Sequence, residues 1–268
     1  MLVLNGKKLN QEIASELKEA ISVLGNTPHL VIIQIGEDSA SDIYIQKKAD
    51  FGQKVGVKVT VKYFSGNTDE NEVLNYIKEK NNDSDVNGII VQVPIPKNLD
   101  SKKILGSVSK EKDVDGLADS EFIPATTKGV VTLLQKNSIK ISGKKVVIIN
   151  DSDLVGKPTA KEMERLGGDV SVCNDQTENL KGISKTADIL ITAIGKPEII
   201  DEEYLKEGQT VIDIGISKTA DGIFGDVKKD VDVELFALTP VPGGVGPMTV
   251  ASLFENLLDA YKKQNFVV

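Results

Sequence analysis

The stretch KKVVIINDSDLVGKPTAKEMERLG, residues 144–167, decides the fold class. Val146, Val147, Ile148 and Ile149 are consecutive and β-branched, which suits a strand buried on both faces of a parallel sheet. A polar turn with a single glycine, Gly156, follows. Then comes an amphipathic segment, TAKEMERLG, with helical spacing. The same alternation recurs outward in both directions. LVIIQIG (30–36), VKVTVKYF (57–64), GIIVQVPIP (88–96), DVSVCN (169–174), ADILITAIG (187–195) and QTVIDIGI (209–216) are further strand candidates. Segments such as DIYIQKKADFGQKVG and TKGVVTLLQKN lie between them. Strands alternating with helices make this an α/β chain of two domains, each a mainly parallel sheet flanked by helices. The polar connector KEKDVDGLADSEFIPATTKG (110–129) separates three earlier strands from four later ones. We therefore expect one domain from residues 1–121 and a second from 122–245. The last helix, MTVASLFENLLDAYKKQ, would return residues 246–268 to the first.

Composition narrows the class. The 268 residues suffice for two moderate cores. A formal net charge of −8 argues against a phosphate-neutralising nucleic-acid surface. Aromatic residues are only 4% and Trp is absent, which removes the usual base-stacking platforms. No apolar run reaches the ~20 residues of a membrane span, and the charged start MLVLNGKKLNQEIASEL does not read as a signal peptide. The single cysteine, Cys173, has no intramolecular partner, so a cytoplasmic protein is expected. No His/Cys cluster has ligand spacing, so no metal is expected either. His29, the one histidine, reads as a surface or strand-start residue and Cys173 as a small core residue.

The turn after residues 144–150 could place a ligand phosphate at a helix N-terminus, where unpaired N–H groups favour an anion. It lacks the Gly-x-Gly-x-x-Gly fingerprint, however. Spacing alone leaves a nucleotide-binding unit and a plain flavodoxin-like layer both open.

Three features of the first half carry chemistry. Tyr44 and Lys48 are four apart in a helical pattern, hence on one face. By itself such a pair is a solvated lysine beside a half-buried tyrosine. Gln92 interrupts the apolar strand GIIVQVPIP near its C-terminal end, where α/β proteins bind ligands. Asp113 and Asp115 flank Val114 before Gly116, and such a pattern also makes an ordinary Asp-capped turn. Near the C-terminus, TPVPGGVGPMT (239–249) packs three prolines and three glycines into eleven positions, as a backbone shaped around a ligand would.

Together these features resemble the bifunctional methylenetetrahydrofolate dehydrogenase/methenyltetrahydrofolate cyclohydrolase family. The resemblance runs through SDIYIQKKADFGQKVGV, NGIIVQVPIPK, KDVDG, PATTKG, ADILITAIGKP, VIDIGI, GDV and TPVPGGVGPMT. It implies a Rossmann-like second domain and a homodimer. It also implies oxidation of 5,10-methylenetetrahydrofolate with a nicotinamide cofactor, then hydrolysis to 10-formyltetrahydrofolate. By resemblance, the catalytic set is Lys48, Gln92 and Tyr44. Lys48 would assist water attack, Gln92 would hold that lysine, and Tyr44 would stack on the p-aminobenzoyl ring. Asp115 would accept from the pterin. Pro242, Gly243 and Gly244 would line a folate-bearing cleft. Asn150, Asp151, Ser152, Val155, Pro158 and Ile216 would meet the cofactor, which the resemblance implies to be NADP.

The chain departs from the family pattern around the ends of two strands of the second half. The family turn reads Gly-Arg-Ser where this chain has Asn150-Asp151-Ser152, and Asp175 replaces a serine a little later. An aspartate repels a 2′-phosphate and can accept from ribose hydroxyls instead, so NAD becomes plausible. Lys157 opposes this reading, since it could reach a phosphate. Two rival functions remain: a cyclohydrolase with weak or lost dehydrogenase activity, and a folate- or nucleotide-binding protein without catalysis. The Tyr-x-x-x-Lys spacing also occurs in short-chain dehydrogenases, but there the nucleotide loop precedes the pair.

Overall fold

The computed structural model describes residues 1–118 and 120–266, without the side chains of Ser39 and Ala40. In chain order its elements are β1 (Leu2–Val3), α1 (Gly6–Ser22), β2 (His29–Ile35), α2 (Ser39–Val55), β3 (Lys58–Phe64), α3 (Glu70–Asn82) and β4 (Gly88–Val91). They continue with α4 (Ser101–Leu105), α5 (Ala125–Lys136), β5 (Lys145–Ile149), α6 (Gly156–Arg165), β6 (Asp169–Cys173), α7 (Leu180–Thr186) and β7 (Ile189–Thr192). The last are β8 (Thr210–Asp213), β9 (Ser217–Thr219), β10 (Gly222–Phe224), β11 (Ala237–Leu238) and α8 (Val245–Asn265). The chain divides into two compact units. The first comprises Gln11–Ala125 with the residues from Val250 onward, and the second Met1–Asn10 with Thr126–Thr249.

The first unit is built on a parallel sheet of order β3-β2-β4. Every residue of β2 is buried, as its unbroken apolar run requires. Side chains alternate across the sheet. Val31, Ile33 and Ile35 pack with Phe64, Ile89 and Val91 against Val73 and Ile77 of α3 and Ile104 of α4. Leu30, Ile32 and Gln34 therefore face the opposite layer. α2 starts at Asp38, whose carboxylate accepts from the Ser41 backbone N–H at 2.8 Å, and stops at Gly56, which takes the left-handed conformation at φ 83°. Phe51 of α2 meets Phe254 of α8 with ring centroids 5.0 Å apart. The chain leaves β2 for β3 on one side and later returns as β4 on the other. That reversal makes a crevice at the carboxyl ends of β2 and β4, the usual ligand position in such sheets.

The second unit carries a six-stranded parallel sheet of order β1-β11-β8-β7-β5-β6, with an antiparallel β9-β10 hairpin beside it. Its order reverses between β5 and β7. Val147, Ile149, Leu190 and Val211 pack on one side with Ile200, Leu205 and Leu235.

Four details differ from the sequence reading. The first ten residues, expected in the first unit, belong to the second, because Leu2 and Val3 pair in parallel with Ala237 and Leu238. Strands β3 and β6 are not buried on both faces: they are sheet edges, and Val172 is exposed. β4 ends at Val91 rather than running to Pro96. Finally, α8 begins at Val245, before Met248, since Pro247 falls in its first turn, where a proline removes no helical hydrogen bond.

The Pro/Gly segment is tied to the start of α1. The Lys7 N–H donates to the Gly243 carbonyl at 2.9 Å, and a β-carbon on Gly6 would lie 1.8 Å from the Gly244 carbonyl oxygen. Gly6→Ala must push two backbone segments apart. It is expected to destabilise the protein by about 1–3 kcal/mol in chemical denaturation, and an unchanged midpoint would contradict this packing.

Candidate active site

Alternation across the first sheet places Gly88, Ile90 and, beyond the strand, Gln92 on the face opposite the Val31/Ile33 core. The Gln92 backbone still donates to the Ile33 carbonyl at 2.8 Å, so its side chain is held in register. Lys48 of α2 is buried at 6% exposure, which overturns the solvated-lysine alternative. Its Nζ donates to Gln92 Oε1 at 3.0 Å. The Gln92 amide donates in turn to the Val93 carbonyl at 2.8 Å, which fixes the oxygen toward the lysine. Burial holds the Lys48 pKa below its ordinary value, while the nearby Asp115 charge opposes that lowering. Tyr44, one turn earlier, is half-buried, and burial raises its phenol pKa. Lys47 lies 5.2 Å from its ring centroid.

The two aspartates of KDVDG divide their tasks. Asp113 is buried and accepts from the Gly116 and Ala118 N–H groups, both at 3.0 Å, so it takes the turn-capping role. Burial pushes its carboxyl pKa up, against those hydrogen bonds. Asp115 remains half-buried, its charge facing Lys48. Asn256 of α8 secures this segment, donating to the Val114 and Ile123 carbonyls, each at 3.0 Å. The sequence reading passed over Asn256, although an amide inside the apolar run ASLFENLLDAY was the available signal.

In the second unit, the turn after β5 closes on itself. Asn150 Oδ1 accepts from the Ser152 N–H at 2.9 Å, the Ser152 hydroxyl at 2.6 Å and the Gly156 N–H at 3.0 Å. The Lys157 N–H donates to the Ser152 carbonyl at 3.0 Å. The helix N-terminus expected to offer unpaired N–H groups has the first of them already partnered: Asn150 takes the Gly156 N–H, and Ser152 takes those of Val155 and Lys157. Gly156 is required here, since a β-carbon would lie 1.9 Å from the Asn150 carbonyl oxygen. Asn150 also donates to the Ala193 carbonyl at 2.7 Å, joining the turns after β5 and β7 at the point where the strand order reverses. Asp151 accepts from Asn174 at 2.9 Å and is exposed, as is Asp175. Lys157 is engaged by Asp153 at 2.7 Å. Val155 and Pro158 flank the α6 start and are half-buried. Of the remaining candidates, Pro242 and Ile216 are exposed, Gly243 is half-buried at φ 115°, and Gly244 is buried.

Two buried carboxylates of this unit were not anticipated. Asp213 accepts from the N–H groups of Gly215, Asp226 and Val227, and burial pushes its pKa up to about 7. Asp226 accepts from four donors of the β7 end and the turn after it. His29 is buried at the start of β2, its Nε2 2.9 Å from the Thr60 hydroxyl, and Cys173 lies in the core. Among the described residues, no group of three His, Cys, Asp or Glu is placed to hold a metal, and no helix is long and apolar enough to cross a membrane.

The family model for the catalytic domain of tetrahydrofolate dehydrogenase/cyclohydrolase matches residues 4–115, and that for its NAD(P)-binding domain matches residues 124–265. The chain belongs to this family. It is 40% identical to the bifunctional protein FolD of Agathobacter rectalis, over 97% of this chain and 99% of that one. The FolD methylenetetrahydrofolate dehydrogenase/cyclohydrolase structure from Campylobacter jejuni superposes with a TM-score of 0.95 at 38% identity, covering 98% of this chain and 99% of that chain. A FolD structure from Trypanosoma brucei, complexed with NADP cofactor and inhibitor, reaches 0.93 at 28% identity and covers 98% of each chain.

The buried lysine of this FolD relative has a thermodynamic signature. Its native pKa is lowered, so the unfolded chain binds more protons between the lowered value and the ordinary 10.5. Below that window the native state bears the full cost of burying the charge. Lys48→Met is therefore expected to raise stability at pH 7 by on the order of 1 kcal/mol. The gain should fade as pH climbs toward 10.5. A Met variant less stable than wild type at pH 7 would contradict the reading.

Proposed function

We propose that Lys48, Gln92, Tyr44 and Asp115 perform the folate chemistry, and that the turns after β5, β7 and β8 carry a nicotinamide dinucleotide with little room for a 2′-phosphate charge. As a member of the family, the chain is an NAD(P)-dependent methylenetetrahydrofolate dehydrogenase and a methenyltetrahydrofolate cyclohydrolase of one-carbon folate metabolism. The observation that carries the residue assignment is the buried Lys48 ammonium, held by Gln92 at 3.0 Å.

A lysine whose pKa is lowered by burial exchanges protons closer to neutrality than a solvated one. At the methenyl carbon, water adds and must lose a proton while the ring-opening nitrogen gains one. Lys48 is the group suited to that transfer, and Gln92 keeps its Nζ in one place. Asp115 accepts from the pterin's N–H groups, a planar two-point match for a carboxylate. Its negative charge also favours the charged form of Lys48, so binding and proton transfer are coupled. Tyr44 presents a half-buried ring for stacking on the aromatic part of the substrate.

A dinucleotide fits the second unit at the reversal between β5 and β7, where Asn150 bridges the two turns and Gly156 permits close backbone approach. When bound it supplies the hydride acceptor for oxidation of the methylene carbon. Pro242 and Ile216 are exposed in the second unit and offer it surface for a ligand. Asp151, Asp153 and Asp175 make the ends of β5 and β6 acidic, and Lys157, the basic residue beside them, is engaged by Asp153. Two like charges about 4 Å apart cost ~1 kcal/mol in water and more when desolvated. That supports NAD over NADP. Steady-state kinetics should give a kcat/KM for NAD equal to or above that for NADP. Asp151→Arg should shift the ratio toward NADP by about tenfold, or ~1.4 kcal/mol. A wild-type preference for NADP of tenfold or more would overturn this assignment.

A further inference from the structure

We infer that Asp226 is a positioning residue for the dehydrogenase reaction, holding the exposed turn after β7 in the shape that receives the dinucleotide; this rests on the cofactor placement proposed above. The Asp226 side chain is fully buried. Its Oδ2 accepts from the Thr192 hydroxyl at 2.8 Å and the Ile194 N–H at 2.6 Å. Its Oδ1 accepts from the Gly195 N–H at 2.8 Å and the Lys196 N–H at 3.1 Å. Three successive backbone N–H groups thus converge on one carboxylate, although Gly195 and Lys196 themselves are exposed. The arrangement is an inward-facing anion nest whose anion is built into the chain. Gly195 sits at φ 73°, a conformation that favours glycine.

The same turn is held from its other side by Asn150, which donates to the Ala193 carbonyl at 2.7 Å. Ser217, just beyond Ile216, donates to the Gly195 carbonyl at 3.1 Å. Asp226 is itself fixed by Asp213, which accepts from the Asp226 N–H at 3.1 Å and the Val227 N–H at 2.8 Å. Asp213 also accepts from the Gly215 N–H at 2.9 Å. One linked set of hydrogen bonds therefore defines the backbone after β5, β7 and β8 at the carboxyl end of the sheet. No part of this set involves Lys48, Gln92 or Asp115. A carboxylate serving the whole fold would support both activities. One serving this turn supports hydride transfer alone.

The test is a pair of variants assayed for both activities in the full-length enzyme. Asp226→Ala leaves three N–H groups and a hydroxyl without their acceptor. Asp226→Asn keeps the Gly195 and Lys196 bonds, and its amide can donate to the Thr192 hydroxyl, so that only Ile194 loses a partner. The expected result is a fall of about a hundredfold or more in dehydrogenase kcat/KM for Asp226→Ala, with methenyltetrahydrofolate hydrolysis within about twofold of wild type. Asp226→Asn should recover much of the loss, with its residual defect in the KM for dinucleotide rather than in kcat. Parallel loss of both activities would make Asp226 a general fold residue and overturn the inference. Unchanged dehydrogenase activity in Asp226→Ala would overturn it as well. Failure of the cofactor placement itself is read separately from Lys196→Glu, an exposed change on the same turn: a dinucleotide KM at the wild-type value in that variant would mean that the turn does not receive the dinucleotide.

Discussion

Burying one ammonium group, that of Lys48, is the constraint on which the arrangement of the first unit depends. An isolated buried charge is expensive, and it is tolerated when fixed polar groups surround it. The two-residue alternation of the sheet brings Gln92 to the α2 face, and helical periodicity brings Lys48 to meet it. Gln92 is oriented by its own bond to the Val93 carbonyl. Asp113 takes the N–H groups of the turn, and the Asp115 charge lies close enough to act on the lysine. The lysine is poised because these neighbours restrain it without neutralising it.

The second unit solves a different problem with the same architecture. Its turns at the carboxyl end of the sheet are exposed, and exposed turns of this kind are the mobile parts of a fold. Buried carboxylates supply the stiffness from below: Asp213 and Asp226 gather seven donors from the β7 end, the β8 end and the segment that follows β10. The turn after β5 is stiffened by the Asn150 side chain instead. That choice engages the Gly156 N–H at the start of α6.

The α/β alternation was legible because strands of a central parallel sheet are apolar at consecutive positions, as in β2, β5, β7 and β8. The edge strands β3 and β6 carry the same residue types with one face wet, and position in a sheet leaves little mark on so short a run. β1 has two residues, too few for any periodicity. Among site residues, Gln92 could be singled out because a lone polar side chain interrupts an apolar run. Asp213 interrupts VIDIGI in the same manner, yet its partners are backbone N–H groups, which leave no pattern in a sequence. The free N–H groups expected at α6 were absent for a related reason. Asn150 is named by resemblance as a ligand contact, and an Asn at a strand end also caps the next turn. Family resemblance named Lys48, whereas only the three-dimensional packing shows that it is buried.

The most direct test is to titrate the Lys48 side chain by NMR, using isotope-labelled lysine, in the wild-type protein and in Asp115→Asn. Burial opposed by a nearby carboxylate requires a wild-type pKa below 10.5 and a lower one still when Asp115 is neutralised. A wild-type Lys48 titrating at the ordinary value, or an Asp115→Asn variant in which it rises, would contradict the buried, carboxylate-tuned lysine.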